Sequence, residues 1–495
     1  MTQQRALQTP PSTETQGLSR RTLGVPALVF MIIAASAPLT VIAGGTPSNF
    51  AVTGVVGIPA SFLVLGICLA VFAVGYSAMS AHIRNAGAFY AYISQGLGRA
   101  AGVGAAWVAL VAYNAMQIGI YGLFGFASAS FIGSKIGAEV PWWLTAAVGF
   151  LIVGWIGINK VDLSVKVIAV LVGLEFLAVI VFDIVALAVQ PEGISAAGLA
   201  PSNLFTAGVG AALAFSIAGF MGFESAAIYS EEAKDPKRSI GRATFIAIAV
   251  ISLFYAFSAW ATTIATGPSQ VVAQSQEFGP DLLFVFLSAH AGTVAADITQ
   301  VLFITSLLAA LIAFHNAVAR YVFSLGREGV IPRRLGYVSP RSHAPVAGSL
   351  VQSALALVML FIFAVAGIGS ELGPLYPVLT FFTWLTNTGA FGLVLLLVLI
   401  SLAVIGYFRR HGGGYSVWTR IVAPALAAAL LGAVFILIVV NFDVLIGTEG
   451  TSPLSWILPA VALVPGVLGV LWGLYLKSAR PLVYSGIGSG GSGDD

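Results

Sequence analysis

Four ionisable side chains sit where this sequence has least room for them. Glu224 lies inside the apolar stretch GFMGFESAAIYS, about two helical turns before the charge cluster that starts at Glu231. Glu175 and Asp183 interrupt VKVIAVLVGLEFLAVIVFDIVALAV, and His315 falls in another apolar run between Phe314 and Asn316. An ionised carboxylate at the centre of a bilayer costs a few kcal/mol or more, so such groups are rare and tend to mark an ion or substrate path. A carboxyl that is costly to ionise is cheap to protonate, which suits it to carrying a proton. The plain alternative is a structural group bonded to a neighbouring helix. Glu224 is the first candidate for proton coupling and Glu175 the second, while Asp183 is expected near the outer interface. His315 and Asn316 are candidates for hydrogen bonds to a ligand. No metal-ligand spacing, nucleophile elbow or phosphate-binding loop accompanies them. The residues therefore point away from an enzyme, with no cofactor expected and a proton gradient as the driving force.

The elements that must hold these groups are membrane helices. The chain has 495 residues, 58% hydrophobic and 8% charged, with a mean hydropathy of +0.98. A soluble domain carries about a quarter charged residues, and this chain could not cover a water-facing surface. Its apolar runs have the length of roughly 20 residues that crosses a bilayer. They fall near 25–47, 55–80, 99–131, 142–158, 163–189, 206–230, 240–266, 294–325, 346–369, 376–407, 418–441 and 454–476. The fold class is an all-α polytopic membrane protein with 12 transmembrane helices; the run 281–289 is too short to span and reads as interfacial. A lone cysteine, Cys68, excludes an intrachain disulfide.

The charges test that count. With 12 spans, all of the 22 Lys and Arg except Lys135 fall on one side, and the opposite loops hold mostly acids. By the positive-inside rule both termini are cytoplasmic, in the cytoplasmic (inner or plasma) membrane. Residues 1–24 read as a polar cytoplasmic tail, without the cleavage site of a signal peptide. Residues 481–495, rich in Gly and Ser, read as a disordered tail.

Two spans are interrupted. The first contains AASAPLTV, with Pro38 in the middle of the run, and the sixth contains Gly219 and Gly222 at similar depth. Proline removes a backbone donor and clashes with the preceding turn. Broken segments at corresponding places in two halves mark the binding site of transporters built from inverted repeats. Freed backbone groups in lipid must line a cavity or meet a ligand. Close helix packing is the competing explanation for the glycines.

Three motifs carry a resemblance. FMGFESAAIYSEEAKDPKRSIGRAT is similar to the sixth-helix signature of the amino acid–polyamine–organocation (APC) superfamily. YSAMSAHIRNAGAFYAYISQGLG resembles its segment between helices two and three, and AVARYVFSLGREGVIPRRL its eighth-helix ending. The resemblance implies a leucine-transporter-type fold: a 5+5 inverted repeat plus two extra helices. The first repeat would be residues 25–190, the second 191–410, and helices 11–12 would occupy 411–480. It further implies substrate contacts from Ser36, Ala37, Pro38, Gln117, Ala218, Gly219, Phe220, Gly222 and Phe314, and proton or charge coupling by Glu224. Two departures stand out. The first break reads AASAPLTV where many amino-acid carriers have a G-S/A-G pattern, closer to putrescine-importer-like members. Glu175 also stands near the place where several proton-coupled relatives carry a lysine.

The expected activity is secondary active import of an amino acid by alternating access, coupled to protons. A putrescine-like polyamine importer and an amino-acid/amine exchanger are the alternatives, with a passive channel more remote. The expected partners are a small amino acid or amine and the lipid bilayer, with no nucleic acid.

Overall fold

Within a bilayer the backbone must bond to itself, so long apolar runs fold as helices. The computed structural model describes residues 23–83, 89–159, 165–224, 233–342, 344–412, 414–447 and 452–489. Among them no strand forms, only a single bridge between Leu23 and Ala233. The principal helices are α1 (Val25–Ser36), α2 (Ile58–Ser80), α3 (Arg99–Ile136), α4 (Trp142–Asn159), α5 (Val165–Val189) and α6 (Val209–Ala218). They continue with α7 (Pro236–Thr266), α8 (Thr293–Arg327), α9 (Val346–Ala366), α10 (Thr383–His411), α11 (Ala423–Val440) and α12 (Leu454–Ala479). Eleven stretches among the described residues are long and apolar enough to cross a membrane, the first running Val25–Thr53 across its own break. By itself α6, with 10 residues, is too short. The rest of the expected sixth span, 225–230, lies outside the described residues, as do Glu231 and Glu232 of the charge cluster and residues 1–22 of the N-terminal tail.

The helices pack as one connected bundle. α3 is the longest at 38 residues and runs against α4, α8, α10 and α12. α4, α8 and α9 also touch one another. α1 packs on α5, α7 and α8, while α2 lies along α7 and α6. The short interfacial segment exists as a helix, Leu282–His290, beside α8. Trp456, Val467 and Leu471 on α12, like Leu357, Phe361 and Val365 on α9, leave large apolar side chains exposed, as a lipid-facing surface requires.

One expectation needs correction here. The segment from 481 is not disordered as far as residue 489: Pro481–Gly486 forms a helix, and Ile487 is buried. The Gly488 amide donates to Tyr90 Oη at 2.9 Å and to Glu328 Oε2 at 3.0 Å. At φ +77° and with Ser94 Cβ 2.7 Å from where a Cβ would stand, only glycine fits. Glycine-rich composition suggests flexibility, yet here it permits close backbone docking. Residues 490–495 lie outside the described residues.

Candidate functional site

The first break follows from Pro38. A proline disfavours the α conformation in the residue before it. Ala37 accordingly leaves the helix, with φ 47° and ψ 76° in the left-handed region, and caps α1 through bonds to Ala34 O and Ile33 O. The chain resumes as a π turn, Thr40–Gly45, and then as a helix, Thr46–Thr53. Groups freed at the break find partners on distant helices. The Leu39 amide donates to Glu175 Oε2 on α5 at 3.3 Å. Ser306 on α8 donates to the same oxygen at 2.8 Å, and its hydroxyl lies 3.1 Å from that of Thr40. The Tyr255 hydroxyl on α7 reaches Ser36 O at 3.2 Å and Ser36 Oγ at 3.1 Å.

The second break solves the same problem locally. After α6 the chain tightens, with amides of Gly219, Phe220, Met221 and Phe223 each bonded three residues back. Gly222 turns at φ +105°, and its amide donates to Glu224 Oε2 at 3.0 Å. Tyr113 of α3 donates its hydroxyl to Glu224 Oε1. Tyr113 in turn packs against the Tyr321 and Phe314 rings of α8. A Cβ at Gly222 would lie 2.8 Å from Ala35 Cβ, so the two broken segments touch at this glycine.

Between the breaks lies a cavity of about 50 Å³. A single water needs roughly 10–15 Å³ by this measure, so the space admits several waters or a small solute. Of the residues expected to contact substrate, Ser36, Ala37, Ala218, Gly219 and Phe314 line it. Pro38, Gln117, Phe220 and Gly222 do not. Phe220 packs against the rings of Phe62 and Tyr255 instead. Gln117 faces away: its Nε2 lies 3.3 Å from His315 Nδ1, and Gln352 donates to its Oε1. His315 Nε2 also lies 2.7 Å from Ser349 Oγ, so this histidine is held by α3 and α9 rather than offered to a ligand. Asn316 is exposed on the other side of α8. Glu175 and Glu224 stand behind the cavity wall, each bonded to the backbone of one break.

The sequence reading missed Met116, Ile120, Phe215 and Phe382, which supply much of the apolar wall, and Asn49 and Thr386 among its polar groups. Met116 and Ile120 flank Gln117. Successive residues on a helix point about 100° apart, so alignment to a neighbouring polar residue selected the wrong face. A period of four through Met116 and Ile120 was the available signal.

Among the described residues the lining contains no Asp, Glu, Lys or Arg. Two helix C-termini, those of α1 and α6, converge on it, and the helix restart reaches it at Thr40, the Leu39 amide behind it being held by Glu175. Helix C-termini favour cations and N-termini favour anions. Such a cavity can receive a small zwitterion without any charged side chain in its wall.

The family model for amino acid permeases matches residues 23–465. The chain belongs to that family, within the APC superfamily. It is 24% identical over 359 residues to the low-affinity putrescine importer PlaP of Escherichia coli (strain K12), covering 69% of this chain and 75% of that one. It is 23% identical over 399 residues to the branched-chain amino acid permease BcaP of Lactococcus lactis subsp. cremoris, covering 74% and 77%. Against the large neutral amino acids transporter small subunit 2 of Mus musculus it is 26% identical over 315 residues, covering 60% of this chain and 57% of that one. The permease is thus a multi-pass membrane transporter from a family of transporters rather than enzymes.

Proposed function

We propose that this permease imports an amino acid with an apolar side chain across the cytoplasmic membrane, coupled to protons. The observation that carries the reading is the cavity: helix ends for the charged groups of a zwitterion, and Met116, Ile120, Phe215 and Phe382 for an aliphatic side chain. A diammonium substrate would have to place both ammonium groups on helix C-termini in an otherwise apolar wall, since among the described residues the lining adds no carboxylate. The named substrates of BcaP agree with an aliphatic amino acid. The polyamine alternative draws on PlaP and on Glu175, one hydroxyl behind the wall at Ser306 and Thr40. Contact of α2 with α7, α3 with α8 and α4 with α9, pairs five apart, supports the inverted-repeat reading. The charge split supports cytoplasmic termini.

Proteoliposome uptake tests the substrate. Labelled leucine should accumulate under an inside-alkaline pH gradient, compete with isoleucine and valine, and resist a hundredfold excess of putrescine. Putrescine accumulation without leucine uptake would replace this reading with the polyamine one. Glu224 and Glu175 are the proposed proton carriers. In Glu224→Gln the ratio of gradient-driven accumulation to leucine counterflow should fall sharply. If it falls only in Glu175→Gln, the proton belongs on α5 and Glu224 is a structural group.

A further inference from the structure

Asp183 is a second buried carboxyl on α5, only 2% exposed, and nothing above uses it. Ser258 of α7 donates to its Oδ2 at 2.8 Å, while Oδ1 is buried without a partner. A carboxyl in that state is costly to keep unless its proton has a use. Its surroundings form a line. Tyr255, Ser258, Thr262 and Thr266 follow one another along α7 at spacings of three and four, and all are buried. Such spacing makes a single stripe on a helix. At one end of the stripe Tyr255 bonds Ser36 at the wall of the cavity. Past the other end Gly267 lies against the carboxyl of Glu192, whose side chain is exposed. This end belongs to the acid-rich face that the charge split reads as outside. Glu175 lies eight residues before Asp183 on α5, about 12 Å along the axis and about 80° round it.

We propose that Asp183 is the outer station of a proton relay that feeds Glu175 at the first break. The inference rests on the proton-coupled reading above. A proton from outside water adds to Asp183 Oδ1. It then leaves that oxygen, past the Tyr255 hydroxyl and through intervening water, as an O–H bond forms on Glu175; Asp183 returns to the carboxylate, held in place by Ser258 on Oδ2. One proton moves and no electrons do. A protonated Glu175 has less charge with which to hold the Leu39 amide and the Ser306 hydroxyl, so arrival of the proton loosens the clamp on the broken helix. The other titratable groups along this path are Tyr255, Glu192 and His290. The last stacks on Phe286, which packs against Phe182 beside Asp183.

Proton influx on addition of L-leucine, read by a pH dye trapped in proteoliposomes, tests the relay beside leucine counterflow. In Asp183→Asn the ratio of proton influx to counterflow should fall about tenfold or more, the scale on which a placed proton-transfer group acts. Asp183→Glu should restore it, and Ser258→Ala should show a smaller drop. A merely structural role would lower both rates together and leave the ratio unchanged, which overturns the proposal. So would a wild-type ratio in Asp183→Asn while Glu175→Gln loses coupling. Failure of the functional reading looks different: the wild-type protein itself would show no leucine-driven proton influx, and the relay would fall with it.

Discussion

The two broken segments meet at one cavity but are held open by opposite means. At the first break the partners come from far away in sequence: Glu175 from α5, Tyr255 from α7 and Ser306 from α8. At the second, the amides bond three residues back along their own turn, and Glu224 reaches the amide of Gly222, two residues before it. The difference follows from what causes each break. Proline forces a gap and leaves groups that other helices must satisfy. Glycine permits a tight turn that satisfies itself. The first break can therefore be changed from outside, by anything that alters α5, α7 or α8. The second behaves as a fixed corner, anchored to the rest through Tyr113.

The sharpest test of the fixed corner is Gly222→Leu. Its φ of +105° is open to glycine and strained for leucine, and Ala35 leaves no room for a side chain. Strain of about 1–3 kcal/mol from the backbone adds to a similar roughly 1–3 kcal/mol from overpacking. Uptake should be abolished and the melting temperature clearly lowered. A variant with normal uptake and a normal melt would show that the second break yields as the first one does.

The next largest effect is expected at Glu175. Glu175→Ala leaves the Leu39 amide unpaired in a buried place and the Ser306 hydroxyl with Thr40 as its remaining partner, at a cost of about 1–3 kcal/mol. Glu175→Gln keeps an acceptor oxygen and should recover at least half of that loss in a thermal melt. Equal losses in the two variants would mean that charge, rather than hydrogen bonding, holds the first break.

How much of this was legible in the sequence depends on the physical signal. Pro38 announced its break because proline removes a backbone donor and clashes with the preceding turn, although Pro459 and Pro465 sit inside α12 without ending it. Gly219 and Gly222 announced a turn, yet only Gly219 lines the cavity, since a glycine symbol does not say whether space is needed for a ligand or for a neighbouring backbone. Gln117 drew attention as a polar residue in an apolar helix, but its partners His315 and Gln352 lie some 200 residues away and no local pattern pairs them. The helix count came from hydropathy, which depends only on bilayer thickness. The docking of Ile487 and Gly488 escaped it, because composition cannot separate a flexible glycine from a packed one.

A smaller effect concerns what steadies the outer part of the first span. The turn at 279–281 packs against Thr40–Gly45, and within it burial raises the Asp281 carboxyl to about 6, although Ser130 donates to it at 2.8 Å. An acid harder to ionise in the folded chain than in the unfolded one lowers stability once pH exceeds its folded value. The loss shrinks as pH falls from about 6 towards the unfolded value near 3.9. Asp281→Asn should therefore raise the melting temperature at pH 8 and have little effect at pH 4. A gain equal at both pH values would point to packing rather than ionisation.

The smallest effect should come from Ala37→Gly, and it separates the two breaks most finely. Ala37 holds φ 47°, a conformation that costs an ordinary residue about 1–2 kcal/mol. Glycine would relieve that strain, but it also frees the unfolded chain, which takes back roughly 0.4–1 kcal/mol. The net change in the melt should be slight and, if measurable, stabilising. Ala37→Val should instead lose stability, because a β-branched residue tolerates a positive φ poorly, and it would intrude on the cavity that Ala37 lines. At Gly222 the conformation depends on glycine being there. At Ala37 it is imposed by Pro38, so the residue type should matter little until it grows a second branch. A large stabilisation by Ala37→Gly would mean that strain is stored at the first break, and that relaxation of Ala37 itself takes part in the transport cycle.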